Sequence, residues 1–177
     1  MKLFIFLPWT PFLLLLLGSS VTEAAPCTSN IPPSNPDSVY IDHGDGTVSD
    51  TRTGLMWRQC IEGLSGATCQ TGSPQSFIWS QALAHAEAST FAGYSDWRLP
   101  SVKELSSLVE HCRLLPAINT NYFPNATPGH PGFWSGSPSS SNSWVVRFDV
   151  GSTHTEDRRL SYGGGVLVHA RFVRDGQ

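Results

Sequence analysis

The chain lacks most of the patterns that announce an activity. Its four cysteines, Cys27, Cys60, Cys69 and Cys112, include no Cys-x-x-Cys pair, which argues against a zinc site. The histidines (His43, His85, His111, His130, His154 and His169) are scattered, and none has metal-ligand spacing. No Gly-x-Ser-x-Gly elbow is present, so a hydrolase nucleophile has no obvious seat. Gly163-Gly164-Gly165 is followed by neither the lysine nor the helix of a phosphate loop and reads as a flexible turn. Asp42, Asp45 and Asp50 miss the calcium-loop pattern, with Thr47 at position six and Thr53 at position twelve. They read as turn residues chosen for backbone reasons. Charge of one sign is also missing: 11 Lys and Arg stand against 14 Asp and Glu, a net of −3. No general affinity for nucleic acid is expected. No metal and no cofactor are expected either.

What is present begins with a leader. Lys2 precedes an apolar run from Leu3 to Leu17, and small residues follow at Ala24 and Ala25. The run is shorter than the roughly 20 apolar residues of a membrane-spanning helix, so residues 1–25 read as a secretory signal peptide. No transmembrane anchor is expected after cleavage, and Pro26 before Cys27 argues against lipidation. The expected destination is the periplasm or the extracellular space. What remains is about 150 residues, the size of one domain with one core. An even cysteine count in an exported chain argues for disulfides, and four cysteines allow three pairings. Cys60–Cys69 is favoured because the two flank a loop containing Gly63 and Gly66, which leaves Cys27–Cys112.

Residues 26–38 are rich in Pro, Asn and Ser and read as an extended arm ahead of a domain spanning 39–177. Ser38–Ile41 and Thr47–Asp50 predict a hairpin around an Asp/Gly turn, with Leu55–Arg58 a third strand. Trp79, Ala82, Leu83 and Ala86 recur at helical spacing, predicting a helix from Ser76 or Trp79 to Thr90, ended near Gly93. Ser101 and Glu104 form a capping box, and Val102, Leu105, Leu108, Val109 and Cys112 form an apolar stripe behind it. Residues 114–132 read as a long irregular loop, and Ser137–Asn142 as a polar turn. Ser143–Val150 and Val166–Arg174 alternate with period two, predicting half-buried antiparallel strands.

Several motifs occur in a recognisable order. They are Asp45-Gly46-Thr47-Val48, Thr53-Gly54-Leu55-Met56-Trp57, Gly93-Tyr94-Ser95-Asp96-Trp97-Arg98-Leu99-Pro100, Lys103-Glu104-Leu105, Pro116-Ala117-Ile118-Asn119 and Phe133-Trp134-Ser135. With them the chain resembles the Lcl C-terminal domain family over roughly Val39 to Arg174. The resemblance implies an α+β, C-type-lectin-like fold with two helices and short, mainly antiparallel strands. The namesake domain ends a collagen-like adhesin and is similar to a module that binds sulfated polysaccharides. This chain has no collagen-like Gly-x-y stretch. The related sulfatase-modifying enzymes depend on reactive cysteines. The cysteines here read as disulfides, so that activity does not carry over.

Trp57, Trp79 and Trp97 read as core, as does Trp144 on the apolar face of its strand. Asp96 and Arg98 read as structural, paired with backbone or with each other to hold the interhelical turn. The candidate ligand residues lie in the C-terminal part, where all cations are arginines. If the last two strands pair, Arg147, His169 and Arg171 share one surface, with Arg158 and Arg159 in the loop between them. Guanidinium groups bind sulfate or carboxylate bidentately. Trp134 and Tyr162 join this set as sugar-stacking candidates. The competing reading is a solvated face whose arginines pair with Asp149, Glu156 and Asp157. The expected function is a non-enzymatic exported module binding an acidic polysaccharide, adhesin-like. The alternative is a structural or protein-interaction subunit of a surface assembly.

Overall fold

The computed structural model describes residues 27–28, 30–126, 132–159 and 168–176. The expected leader, Tyr162 and the glycine run lie outside them. The architecture is α+β, with two helices among antiparallel-rich sheets. The first sheet has strand order β1-β2-β3-β10, from Tyr40–Asp42, Thr47–Asp50, Leu55–Arg58 and Val173–Asp175. The second has order β8-β7-β6-β9, from Ser152–Asp157, Asn142–Arg147, Gly132–Ser139 and Val168–His169. A two-stranded ribbon pairs β4 (Leu64–Ser65) with β5 (Thr71–Gly72).

The hairpin forms as its turn chemistry demands. Asp42 accepts from the Gly44 N–H (2.8 Å), Asp45 from the Thr47 N–H (2.9 Å), and Asp50 from the Arg52 N–H (2.9 Å). Each acid therefore shapes its own turn. Gly46 is left-handed (φ +86°), and a Cβ there would meet the Phe91 ring at 2.8 Å.

Helix α1 spans Trp79–Glu87 and stops short of Thr90. Two consecutive left-handed residues, Ala92 (φ 53°) and Gly93 (φ 80°), turn the chain instead into a short 3-10 segment at Phe91–Gly93. Ala82 and Ala86 are buried, while Trp79 and Leu83 are partly covered. Helix α2 is Val102–Ser106, and its box is complete: Glu104 N–H donates to Ser101 Oγ (3.2 Å), and Ser101 N–H to Glu104 Oε2 (2.7 Å). Beyond the helix Leu108, Val109 and Cys112 remain buried.

Arg98 reaches the same glutamate through two bonds (2.8 and 2.9 Å) and also Asp175 in β10 (3.1 Å). Its backbone bridges Val173 in both directions. Asp96 pairs with Arg174 (2.7 and 3.0 Å), so the two residues hold the turn through separate ties to β10 and not through each other.

The C-terminal part departs most from the sequence pattern. The polar stretch Ser152–Asp157 is a full strand, β8, paired with β7 along six positions. The stretch expected as a turn, Ser137–Asn142, is mostly strand, and the chain reverses at 140–141 with Ser140 left-handed (φ 48°). Val168–Arg174 is two strands in two sheets. β9 runs parallel to β6, and β10 pairs antiparallel with β3. Every residue from Val168 to Arg174 is buried, so neither face of that segment meets water. The middle of the second sheet, in β6 and β7, is likewise covered on both sides, while the edge strand β8 is not. Trp134 and Val145 pack in one cluster with Trp97, Ala82 and Ala86, while Phe133, Val146 and Phe148 pack in the other with Leu105, Leu108 and Trp57. Trp144 is half-buried and belongs to neither buried cluster, because its cross-strand neighbour is Thr155 near the edge.

Both expected disulfides, Cys60–Cys69 and Cys27–Cys112, are present. The arm before β1 is docked rather than free. Buried Glu110 accepts from the backbone N–H groups of Ser34 and Asn35 (both 2.8 Å), and Thr28 N–H donates to the Cys112 carbonyl (3.0 Å).

The Glu104 carboxyl is pushed down to about 2 from an ordinary 4.5, first by its bonds from Arg98 and then by those from Ser101. A depressed carboxylate stabilises fully above its unfolded value and loses that contribution as pH falls through the folded one. Chemical unfolding followed from pH 6 down to about 2 is therefore expected to lose stability below about 4.5. The Glu104→Gln variant is less stable at neutral pH and has a shallower acid slope.

Candidate functional site

Two concave regions flank a chain of charges centred on buried Glu62. The first is a half-enclosed cleft of about 330 Å³. Its walls are the β1–β2 turn (Asp42, Gly44, Asp45, Gly46), the disulfide-closed segment (Cys60, Leu64 to Ala67) and Phe91, with Arg58 and Gln59 behind. The second is a shallower groove of about 500 Å³ along α1, lined by Gln75, Phe77, Gln81 and His85 among others.

Arg58 and His85, one in each concavity, meet on Glu62. Glu62 is buried and contacts Arg58 Nη1 at 2.5 Å and His85 Nε2 at 3.1 Å. The Arg58 guanidinium also lies 4.0 Å over the Phe91 ring. Burial pushes the Glu62 carboxyl up and the Arg58 guanidinium down, and their mutual attraction offsets this only in part. A second buried cation, Arg171, sits nearby. It donates to the carbonyls of Arg58 (2.8 Å) and Gln59, and it packs over Phe123 at 4.9 Å. Loss of solvent pushes it down to about 9, with Arg58 adding to the shift and Glu62 opposing it. It stays charged at neutral pH.

The expected ligand set does not assemble on one surface. Arg171 and His169 are buried at 0% and 2% exposure, because their segment runs between the sheets instead of along a polar face. His169 Nδ1 bonds the Gln75 carbonyl at 2.7 Å. Trp134 is fully buried and donates its indole N–H to the Phe77 carbonyl (2.8 Å), so it is core and not a sugar platform. Arg147 pairs with Asp149 and lies opposite Ser152, whereas Asp157 lies opposite Asn142. Arg147 therefore sits at one end of the β7–β8 hairpin and Asp157 at the other, five residue pairs and ~17 Å away, with Arg158 and Arg159 following Asp157.

Arg158 and Arg159 remain together just after β8. Arg159 is exposed and bridges Asp157 through two contacts (2.8 and 3.1 Å), which hold the Asp157 carboxyl at about 2. Arg158 stacks 4.6 Å over Trp79 and donates Nε–H to the Asn142 carbonyl and the Ser143 hydroxyl. Among the described residues it is paired with no carboxylate. Trp79, expected as core, is half-buried and forms this platform.

Among the described residues, Cys27, Glu110 and Cys112 bring potential metal-ligating atoms within 4.8 Å of one another. Both sulfurs are committed to the disulfide, which leaves only the carboxylate for an ion. No described helix is long and apolar enough to cross a membrane.

The segment from the β2 turn through β10, residues 46–174, matches the model of the Lcl C-terminal domain. The chain belongs to the Lcl C-terminal domain family. The match begins after the docked arm and β1, and the arm is held to the matched segment by Cys27–Cys112 and Glu110. No curated protein matches the chain. Two disulfides fit an oxidising compartment and hence an exported domain of this family.

The cleft was not visible in the sequence, because its walls come from three segments separated by up to 49 residues between Asp42 and Phe91. Gly46 was its one local signal, a glycine required where Phe91 closes in.

Breaking a buried ion pair from one side strands the other charge, at a cost of about 3–5 kcal/mol. Glu62→Gln is expected to destabilise the protein by that order in denaturant titration, since Arg58 and Arg171 lose their shared counter-charge. Exposed His85→Gln is expected to cost under about 1 kcal/mol.

Proposed function

We propose that this protein is an exported, non-enzymatic binding module for an acidic polysaccharide, adhesin-like in role. The observation that carries the reading is the Arg158–Arg159 pair. One guanidinium is laid on Trp79 with no carboxylate partner among the described residues, and its neighbour is exposed and held in a fork on Asp157. A sulfate or uronate group would take the place of Asp157 on Arg159 and gain the charge of Arg158. Planar bidentate recognition of this kind is what guanidinium groups do best. Family membership supports the reading, as does the C-type-lectin-like fold that the resemblance implies. The lack of a free cysteine removes the reactive thiols on which the related modifying enzymes depend.

The alternative, a protein-interaction subunit of a surface assembly with no sugar site, follows if no glycan is bound. The test is retention of the oxidised protein on a heparin resin with a salt gradient, beside a glycan array. Saturable binding to sulfated or uronic glycans that weakens with salt is expected. Arg159→Ala should elute at clearly lower salt, and Arg158→Ala with Arg159→Ala should abolish retention while leaving the thermal midpoint within a few degrees. Retention unchanged in the double variant, or a blank array at low salt, overturns the proposal.

A further inference from the structure

The cleft beside the β1–β2 turn has the opposite character from the Arg158–Arg159 end. We propose that it is a second ligand seat, built for a pyranose rich in hydrogen-bond donors and best met by an amino sugar carrying its ammonium group.

Size comes first. About 330 Å³ lies at the small end of the range for ligand sites, suited to one or two sugar rings and too small for a folded partner. Polarity comes next. Asp42 and Asp45 stand exposed on the rim, and each spends one oxygen, Oδ1, on its own turn. The second oxygen of each carboxylate is available to accept. Among the described residues lining the cleft Arg58 is the one arginine or lysine, and it is already engaged, holding Glu62 at 2.5 Å and covering Phe91 at 4.0 Å. The cleft is therefore rich in acceptors and negative in field. It opposes sulfate and uronate and favours hydroxyl and ammonium donors.

The apolar contribution comes from Phe91. Its ring lines the cleft beside Arg58, whose guanidinium lies over one face of the ring at 4.0 Å, and it closes against Gly46, where a side chain would collide at 2.8 Å. An aromatic ring beside carboxylates is the combination a pyranose requires, because its C–H face is apolar and its rim is hydroxyl.

The walls are also fixed before any ligand arrives. Gln59 N–H donates to the Gly46 carbonyl (2.9 Å), joining the turn to the end of β3, and Cys60–Cys69 closes the opposing segment. Little ordering cost is left for binding.

The experiment is a set of backbone amide spectra of the oxidised protein, titrated below neutral pH with glucosamine, glucose and glucuronate in turn. Saturable shifts confined to residues 42–46, 59–67 and 91 are expected with glucosamine. Glucose should bind about five- to tenfold more weakly, the effect of losing a charge-assisted bond, and glucuronate should be weakest. The double variant Asp42→Asn with Asp45→Asn keeps the oxygens that shape the turn and removes the charges. It should lose the preference for glucosamine over glucose while keeping wild-type dispersion elsewhere. Phe91→Leu should weaken both sugars, and Arg159→Ala should leave the titration unchanged. No saturable shift with any of the sugars, or glucuronate binding as well as glucosamine, overturns the proposal. The heparin result is independent of either outcome, because the two sites share no residue.

Discussion

A single buried strip, Val168 to Arg174, holds the two sheets in one molecule. β9 at its start completes the second sheet, and β10 at its end completes the first. Between them the backbone serves neighbours on both sides. Arg58 N–H donates to the Phe172 carbonyl, Glu62 N–H to Ala170 and Phe77 N–H to Val168. At its centre Arg171 places a full positive charge in the interior. The cost of removing that charge from water is offset in part by carbonyl oxygens on Nη1, by aromatic faces and by Glu62 at longer range, while Nε and Nη2 find no hydrogen-bond partner among the described residues. A hydrocarbon of similar volume would fill the space, but it could not bind the carbonyls at the end of β3. The charge therefore fixes where β3, the segment after it and the last strand meet.

From that junction the rest follows in order. Glu62 is drawn inside as the counter-charge of Arg58, which in turn lies on Phe91. Phe91 closes on Gly46, and the cleft is the space left between them and the disulfide-closed segment. The surface thus inherits its form from a charge arrangement in the core. Most other arginines are spent on architecture. Arg98 and Arg174 tie β10 to the interhelical turn, and Arg147 bridges Asp149 at the end of its strand. Counting cations in the sequence overstates how many are available to a ligand.

The elements legible in the sequence were those decided locally. Ser101 and Glu104 announce α2 because a capping box is satisfied within four residues. Asp42, Asp45 and Gly46 announce a turn for the same reason, and Gly63 and Gly66 allow Cys60 to meet Cys69. β8 was not legible, since Ser152–Asp157 has no apolar alternation and forms only because β7 offers it an edge. The period-two pattern of Val168–Arg174 identified extended backbone and misled about exposure. His169 and Arg171 occupy the polar positions, and burial of both faces was affordable only with partners brought in from Gln75, Arg58 and Gln59. The candidate site was hidden for a related reason. The charge its walls present depends on whether Arg58 is paired, and that is settled by a glutamate four residues on and an aromatic ring 33 residues away.

The bond between Cys60 and Cys69 closes a span of nine residues that forms one wall of the cleft. Cytosolic thiol chemistry keeps such a bond open, and an oxidising space closes it. The wall therefore takes its closed form only where cysteines are oxidised. A reduced chain carries the same lining residues without the covalent link that holds one side of the cleft against the β1–β2 turn. The shape of that concavity is thus set by the redox state of its surroundings as well as by the sequence.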